Sequence, residues 1–204
     1  MQGLKWGMAA LLAGFAAPAL AETTVLTNVT LIDGVSAAAQ PNSAIVMTGG
    51  KITYAGPVAG MKAPKDARIE DMSGKFVMPG IINLHGHLGN TIDLVQDPKN
   101  FTRENLAKNL KTYASYGVTS VMSMGSDSDL ALKVRDEQRA GRPSTTRIYS
   151  AGRGFTGEGG YPTKAMGMKG VPYEVKIAAE AKKDVDENAA RKPDLIKIWV
   201  DDHL

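Results

Sequence analysis

The sequence predicts an α/β protein in which a short all-β segment precedes a parallel sheet flanked by helices. β-Branched residues and turn pairs recur at short intervals in residues 22–78, which is typical of short strands. From Pro79 onward, apolar strands alternate with amphipathic helices, and this order favours parallel strands joined by right-handed crossovers. The 22 glycines and 10 prolines are spread among the apolar residues of a 204-residue chain, as in a compact, turn-rich protein.

The all-β segment contains predicted strands separated by turn pairs. The predicted strands cover residues 24–32, 43–48, 51–55, 68–72 and 75–77. Pairs typical of turns lie between them, namely Asp33-Gly34, Gly49-Gly50, Gly56-Pro57 and Ser73-Gly74. Strands at this spacing indicate a small sheet or half of a β-sandwich.

The remainder of the chain, residues 79–204, alternates between strand and helix patterns. The predicted strands are residues 81–84, 118–124, 147–151 and 195–200, and the predicted helices are 102–117, 129–140 and 173–190. Thr102 is a suitable N-cap for the first helix, and Gly117 ends it. We expect Asp127 and Asp129 to lie at the start of the second helix.

The first 21 residues have the features of a secretory signal peptide. Lys5 is followed by an apolar run from Gly7 to Leu20, and Ala19-Leu20-Ala21 supplies the small residues of a cleavage site. The run is shorter than the roughly 20 residues that a membrane-spanning helix needs, and Pro18 interrupts it. We therefore expect cleavage after Ala21, export to the periplasm and no membrane span in the mature chain.

Charge and cysteine content exclude several classes of function. The 24 basic residues nearly balance the 21 acidic ones and form no block, so neither nucleic acid nor a membrane surface is an expected partner. The chain has no cysteine, which excludes disulfides, thiolate metal sites and a cysteine nucleophile. A metal ion would have to be bound by histidine, carboxylate or modified lysine.

The strongest candidate for chemistry is the pair His85 and His87. Residues two apart on a strand point to the same side, so both imidazoles can bind one divalent cation. An isolated pair of this kind is more often surface decoration or a chance core pair. This pair, however, directly follows an apolar strand introduced by Pro79-Gly80, where a parallel sheet presents its functional end.

Lys197 lies in the middle of the apolar segment Asp194–Val200. A buried ammonium is costly, and burial lowers the pKa of lysine and frees its amine. Such an amine can take up carbon dioxide to form a carbamate that bridges two metal ions. The alternative is a structural lysine whose stem packs while its head reaches solvent at the end of the strand.

These two segments resemble a known family. Pro79–His87 is similar to the first-strand signature of the metal-dependent amidohydrolase superfamily, and Asp194–Ile198 to the fourth-strand segment that carries the family's carboxylated lysine. The resemblance is closest to the imidazolonepropionase-like and Xaa-Pro-dipeptidase-like branch. It implies part of a β-sandwich at 22–78, followed at 79–204 by the first four units of a (β/α)₈ TIM-type barrel.

The resemblance also implies a site and a reaction. His85 and His87 would hold the more buried of two divalent ions, and carbamylated Lys197 would bridge both and act in catalysis. Two zinc ions are expected, although manganese, cobalt or iron would suit the same ligands. A metal-activated hydroxide would hydrolyse a carbon–nitrogen bond of a small amide, cyclic amide or dipeptide.

The Gly-rich loop 152–163 follows the third predicted strand, on the face where barrel active sites form. Its glycine spacing does not match a phosphate-binding fingerprint. Arg153 and Tyr161 are candidate substrate contacts on this loop, and a plain mobile loop is the alternative.

The family ligands from later strands, two histidines and an aspartate, match no residue of the sequence. His203 corresponds to no ligand position. A complete barrel takes about 250 residues, so residues 79–204 suffice for half of one. We expect the N-terminal half of a longer hydrolase. The alternatives are a half-barrel that assembles as a homo-oligomer and a non-catalytic exported binding module.

Overall fold

The computed structural model describes residues 22–141, 143 and 145–201. The chain divides into two compact units, with the boundary between Pro79 and Gly80. The predicted signal peptide at residues 1–21 lies outside the described residues. Among the described helices, none has the length and apolar character needed to cross a membrane.

The first unit forms one mixed sheet of five strands. These are β1 (Thr23–Leu31), β2 (Gln40–Thr48), β3 (Lys51–Pro57), β4 (Arg68–Asp71) and β5 (Phe76–Val77). The strand order is β3-β2-β1-β4, and β5 also pairs with β1. Strands β1, β2 and β3 are antiparallel, whereas β4 and β5 run parallel to β1.

The sheet of the first unit is stabilised by a small apolar core and a tight hairpin. Val29, Leu31 and Ile45 are buried together, and Met47 packs against them from the same sheet. Gly49-Gly50 connects β2 to β3 with φ values of 58° and 78°. Two consecutive positive φ angles suit a two-residue hairpin turn, and glycine adopts them without steric cost.

The second unit is built around parallel strands and helices. Its elements are β6 (Ile81–Gly86), β7 (Thr91–Ile92), β8 (Val95–Gln96), α1 (Arg103–Ser115), β9 (Val118–Ser123), α2 (Asp129–Ala140), β10 (Arg147–Ser150), β11 (Phe155–Gly157), β12 (Tyr173–Val175) and α3 (Ala178–Ala190). The central sheet has the order β10-β9-β6 with all strands parallel, as the alternation of strand and helix predicts.

The core of this unit lies between the sheet and its helices. It consists of Leu88, Leu106, Leu110, Val121 and Ile148. Both helices that cover the sheet begin at a hydroxyl cap. Thr102 accepts a hydrogen bond from the Asn105 amide, and Ser128 accepts one from the Leu130 amide.

The predicted fourth strand, residues 195–200, does not form a regular strand. The Asp194 amide donates to the Ser150 carbonyl at 2.8 Å, and further along the Phe155 amide donates to the Lys197 carbonyl at 2.9 Å. A single parallel bridge joins Phe155 and Ile198. The neighbouring strand is interrupted because β10 ends at Ser150, and the segment therefore pairs first with β10 and then with β11.

The third predicted helix begins later than its sequence pattern indicates. Tyr173–Val175 forms β12, which pairs in parallel with β11, and α3 begins at Ala178. The Tyr173 ring stacks on Phe155 with centroids 5.1 Å apart, and its hydroxyl donates to Glu187 of α3. These tertiary contacts hold Tyr173 in the extended conformation.

Candidate functional site

The two histidines lie together at the carboxyl end of β6. Their ring centroids are 5.5 Å apart in an edge-to-face arrangement, with His85 exposed and His87 partly buried. Gly86 between them is buried, and a Cβ there would lie 2.8 Å from Val121 Cγ2 and 3.0 Å from the Tyr113 hydroxyl. The strand therefore turns its crowded side toward β9 and α1 and presents both imidazoles on the other side.

Lys197 lies close enough to affect the protonation of His87. Burial lowers the pKa of His87 below its ordinary value, and the charges of His85 and Lys197 lower it further. Near pH 7 this ring is therefore neutral, which is the state that binds a metal ion. Lys197 packs against Gly125, the residue before the Ser126 that binds His87, so the three predicted ligands lie near one another.

Trp199 is a neighbour of Lys197 that sequence reasoning missed. The Lys197 Nζ lies 5.3 Å from the centroid of the Trp199 ring, within the range of a cation–π contact. Two glycines that pack against these side chains, Gly125 and Gly154, make this approach possible because they have no Cβ. A Cβ at Gly125 would lie 2.7 Å from Lys197 Cγ, and one at Gly154 would lie 2.3 Å from the Trp199 ring.

Three serines and one carboxylate form hydrogen bonds next to His87. Ser126, which is 4% exposed, makes a 2.8 Å hydrogen bond between its hydroxyl and Nδ1 of His87. The next residue, Asp127, accepts hydrogen bonds from the hydroxyls of Ser123 at 2.6 Å and Ser150 at 2.5 Å. Asp127 is 1% exposed, and burial raises its pKa to about 6, against the opposing effect of the two serines.

Asp129 begins α2 as expected, whereas Asp127 lies just before the cap and is not part of the helix. Ser128 is the cap and Asp129 the first helical residue, whereas Asp127 joins the ends of β9 and β10. The signal that could have found this network is the polar run Ser126–Asp129, which follows closely after a predicted strand at the functional edge of the sheet.

The two candidate substrate contacts lie in different surroundings. The Arg153 guanidinium donates to the carbonyls of Gly170, Val171 and Pro172 and lies 4.0 Å from the centroid of the Tyr173 ring. These bonds fix the loop at 170–172. Arg153 also lines a cavity of about 260 Å³ together with Ser126 and Asp127.

Tyr161 lies beside the lysine segment. The residue is 42% exposed, and the centroid of its ring is 6.4 Å from that of Trp199, edge to face. The Tyr161 amide donates to the Asp201 carboxylate at 2.6 Å. Tyr161 therefore borders the neighbourhood of Lys197.

The donor chemistry of these residues fits part of a divalent metal centre. Two imidazoles on one rigid strand, one of them neutral, are typical ligands of zinc and related ions. Within the described part of the chain, no group of three or more histidine, aspartate, glutamate or cysteine residues is placed to hold a metal. His203 lies outside the described residues.

Comparison with known proteins gives fold matches over nearly the whole chain. A Bifidobacterium longum protein assigned as a prolidase matches with a TM-score of 0.70 and 24% identity, over 90% of this chain and 42% of that one. Molinate hydrolase matches with a TM-score of 0.68 and 23% identity, over 88% of this chain and 45% of that one. A Xaa-Pro dipeptidase with bound methionine in its active site matches with a TM-score of 0.64 and 25% identity, over 87% of this chain and 47% of that one.

Sequence comparison gives a shorter match. A 5-methylthioadenosine/S-adenosylhomocysteine deaminase from Symbiobacterium thermophilum is 43% identical over 51 residues, which are 25% of this chain and 12% of the deaminase. No protein-family model matches the sequence. The chain spans less than half the length of each of the three structures above.

These neighbours agree with the resemblance that the His85-x-His87 and Lys197 segments carry. They include prolidases, a dipeptidase and an amidohydrolase, all matched over their N-terminal part. The chain has the mixed α/β fold of the N-terminal part of amidohydrolase-superfamily proteins.

Proposed function

We propose that the chain is the N-terminal half of an exported, metal-dependent hydrolase that cleaves carbon–nitrogen bonds in small amides. The observation that supports this proposal is the contact between the His85 and His87 rings at the carboxyl end of β6, with Lys197 packed against Gly125, the residue before the Ser126 that binds His87. Active sites of barrel enzymes form at this end of their strands.

His85 and His87 would bind the more buried ion, and Lys197, once carbamylated, would bridge it to a second. The Lys197 ammonium would first lose a proton, and the free amine would then add to carbon dioxide and lose a second proton, which would convert a cationic side chain into an anionic carbamate. When bound, the metal supplies Lewis acidity toward an amide carbonyl and lowers the pKa of water. Zinc is the proposed ion, with manganese, cobalt or iron as substitutes.

The remaining residues would shape the substrate pocket. Tyr161 and Trp199 form an aromatic border beside Lys197, and this border suits an apolar substrate group. Arg153 lines the adjoining cavity. Three of the structural neighbours are named as a prolidase, molinate hydrolase and a Xaa-Pro dipeptidase, and these names refer to enzymes of small molecules. The proposed substrate class is therefore a dipeptide or another small amide.

Exposed apolar side chains support the half-barrel interpretation. On β6, which forms one edge of the described sheet, Ile82 is 63% and Leu84 is 72% exposed. In the segment after Asp194, Ile198 is 61% and Val200 is 87% exposed. An apolar strand at an open edge favours pairing with further strands. A second polypeptide segment that completes the barrel would cover these side chains.

Hydrolysis assays test the proposal. Zinc-loaded protein extended with the coding sequence beyond codon 204 should release amino acids from a panel of Xaa-Pro and other dipeptides, whereas the 204-residue chain should not. Activity of the short chain, together with a stable dimer by light scattering, would instead support the self-assembling half-barrel. Absence of hydrolysis by the extended, metal-loaded protein across amides and dipeptides would contradict the proposed function and favour a binding module.

A further inference from the structure

The hydrogen bond between Ser126 and His87 occupies one of the two ring nitrogens of this histidine. The Ser126 hydroxyl lies 2.8 Å from Nδ1. An imidazole has only one further nitrogen, so Nε2 is left to face a ligand. In a neutral ring only one nitrogen carries a proton, and the direction of the hydrogen bond at Nδ1 corresponds to one tautomer or the other.

The position of the Ser126 hydroxyl is fixed by the turn between β9 and α2. Ser126 is 4% exposed and forms an antiparallel bridge with Arg153. Asp127, the next residue, is bound by two serine hydroxyls, and its amide donates to the Gly152 carbonyl. Gly125, the preceding residue, has a φ of 90° that side chains rarely adopt. Because the residues on both sides of Ser126 are fixed, its hydroxyl can hold Nδ1 of His87 in one orientation.

We propose that Ser126 is a positioning residue for His87, whose Nδ1–H donates to the Ser126 hydroxyl and so leaves the Nε2 lone pair for a divalent cation. This inference rests on the proposed function. Metal-binding histidines generally donate their second ring N–H to an acceptor, which fixes the tautomer and the ring direction. The opposite arrangement, with Ser126 donating, would place a proton on Nε2 and block the ligand position.

The surroundings of Ser126 allow its hydroxyl to act as the acceptor. Ser126 borders the cavity of about 260 Å³, so its own proton has room to point away from His87. This room favours the arrangement in which the His87 Nδ1–H donates to the Ser126 hydroxyl.

Nitrogen-15 NMR of the labelled 204-residue chain tests the assignment without any metal. The His87 ring, identified by loss of its signals in His87→Gln, should show a protonated Nδ1 and an unprotonated Nε2. Ser126→Ala should shift the ring toward a mixture of tautomers, and Ser126→Thr should restore the Nδ1–H form. Ser150→Ala is the matched control, because it removes a buried serine hydroxyl of the same network that does not contact His87.

A His87 ring protonated at Nε2 in the wild-type chain would overturn the inference, as would an unchanged tautomer in folded Ser126→Ala. Zinc titration adds an independent result, since loss of such a partner should weaken binding about 10- to 100-fold. If the wild-type chain takes up no zinc although His87 is protonated at Nδ1, the metal centre is contradicted while the role of Ser126 in setting the tautomer is supported.

Discussion

The hydroxyl of Ser150 donates a 2.5 Å hydrogen bond to Oδ2 of Asp127 and thereby joins the end of β10 to the turn after β9. Ser123 binds the other oxygen of the same carboxylate. A carboxylate that is 1% exposed and has only two neutral donors retains a proton more readily than one in water. Burial accordingly raises the pKa of Asp127 to about 6.

Ionisation of the buried Asp127 carboxylate at neutral pH should destabilise the folded chain, and replacement of Asp127 by asparagine should remove this effect. The folded chain holds this proton more tightly than the unfolded chain, whose pKa is near 3.8. The stabilising contribution of Asp127 is therefore full below pH 3.8 and falls as the pH rises through about 6, by roughly 3 kcal/mol in total. The side-chain amide of the Asp127→Asn variant can still accept from one serine and donate to the other.

Urea unfolding of both proteins between about pH 4 and pH 7 measures the effect. The difference in unfolding free energy between Asp127→Asn and the wild type should grow in favour of the variant as the pH rises. Because all other carboxylates are common to both proteins, their contributions cancel. Parallel stability curves over this range would contradict the assignment.

The ion pair between Arg135 and Asp194 should stabilise the segment that carries Lys197. Arg135 is 2% exposed, and its guanidinium lies 3.2 Å from the Asp194 carboxylate, which also binds Arg139 and the Ser150 amide. Asp194→Ala leaves a buried charge without this partner and should lower the unfolding free energy by about 3 kcal/mol.

Asp136→Ala is the matched control for that variant. Asp136 contacts the same guanidinium at 2.8 Å, but its side chain is 63% exposed. A carboxylate in contact with water gains little from an ion pair, and Arg135 keeps Asp194 and the Lys192 carbonyl as partners, so this variant should lose clearly less unfolding free energy than Asp194→Ala. An equal loss of unfolding free energy in the two variants would show that burial of the carboxylate does not determine how much its ion pair contributes to stability.

Gly86→Ala tests whether the histidines need a glycine between them. The new methyl group would lie 2.8 Å from Val121 and 3.0 Å from the Tyr113 hydroxyl, so the variant should lose about 1–3 kcal/mol of stability. At Gly141 the contact that a Cβ would make with the described residues is with the Glu137 carbonyl, at 3.7 Å, and Gly141→Ala should be neutral or slightly stabilising. Thermal unfolding of both variants checks the contrast, and a tolerated Gly86→Ala would contradict the close packing of β6 on β9.

Export should be visible in the mass of the secreted protein. When the chain is expressed in a bacterium, the periplasmic product should begin at Glu22, and Ala21→Phe should block this processing. Mass spectrometry of periplasmic and membrane fractions measures both outcomes. A periplasmic fraction devoid of the chain, with intact Met1 in the cytosol, would contradict the signal peptide.

Some helices and strands of the second unit could be predicted from the sequence, because residues within or next to each element determine where it begins and ends. Helix α2 begins at Asp129 and ends at Ala140 as expected, and Thr102 caps α1. The His85-x-His87 spacing placed both rings on one side because the strand period is two. These features depend on residues close together in the sequence.

Features that depend on distant contacts were not predictable in the same way. The extended Tyr173 is held by Phe155 and Glu187, and the broken pairing after Asp194 follows from the end of β10 at Ser150. Aspartate is a common residue at the start of a helix, yet the Asp127 carboxylate accepts its hydrogen bonds from serines of β9 and β10. Only the folded chain brings these serines to the carboxylate.

Zinc titration of the 204-residue chain tests the central proposal most directly. We expect about one zinc ion per chain, with affinity reduced about tenfold or more in His85→Ala and His87→Ala. His203→Ala, which removes the third histidine of the sequence, should bind zinc as the wild type does. Equal zinc affinity in the wild type and in the His85 and His87 variants would contradict the metal centre.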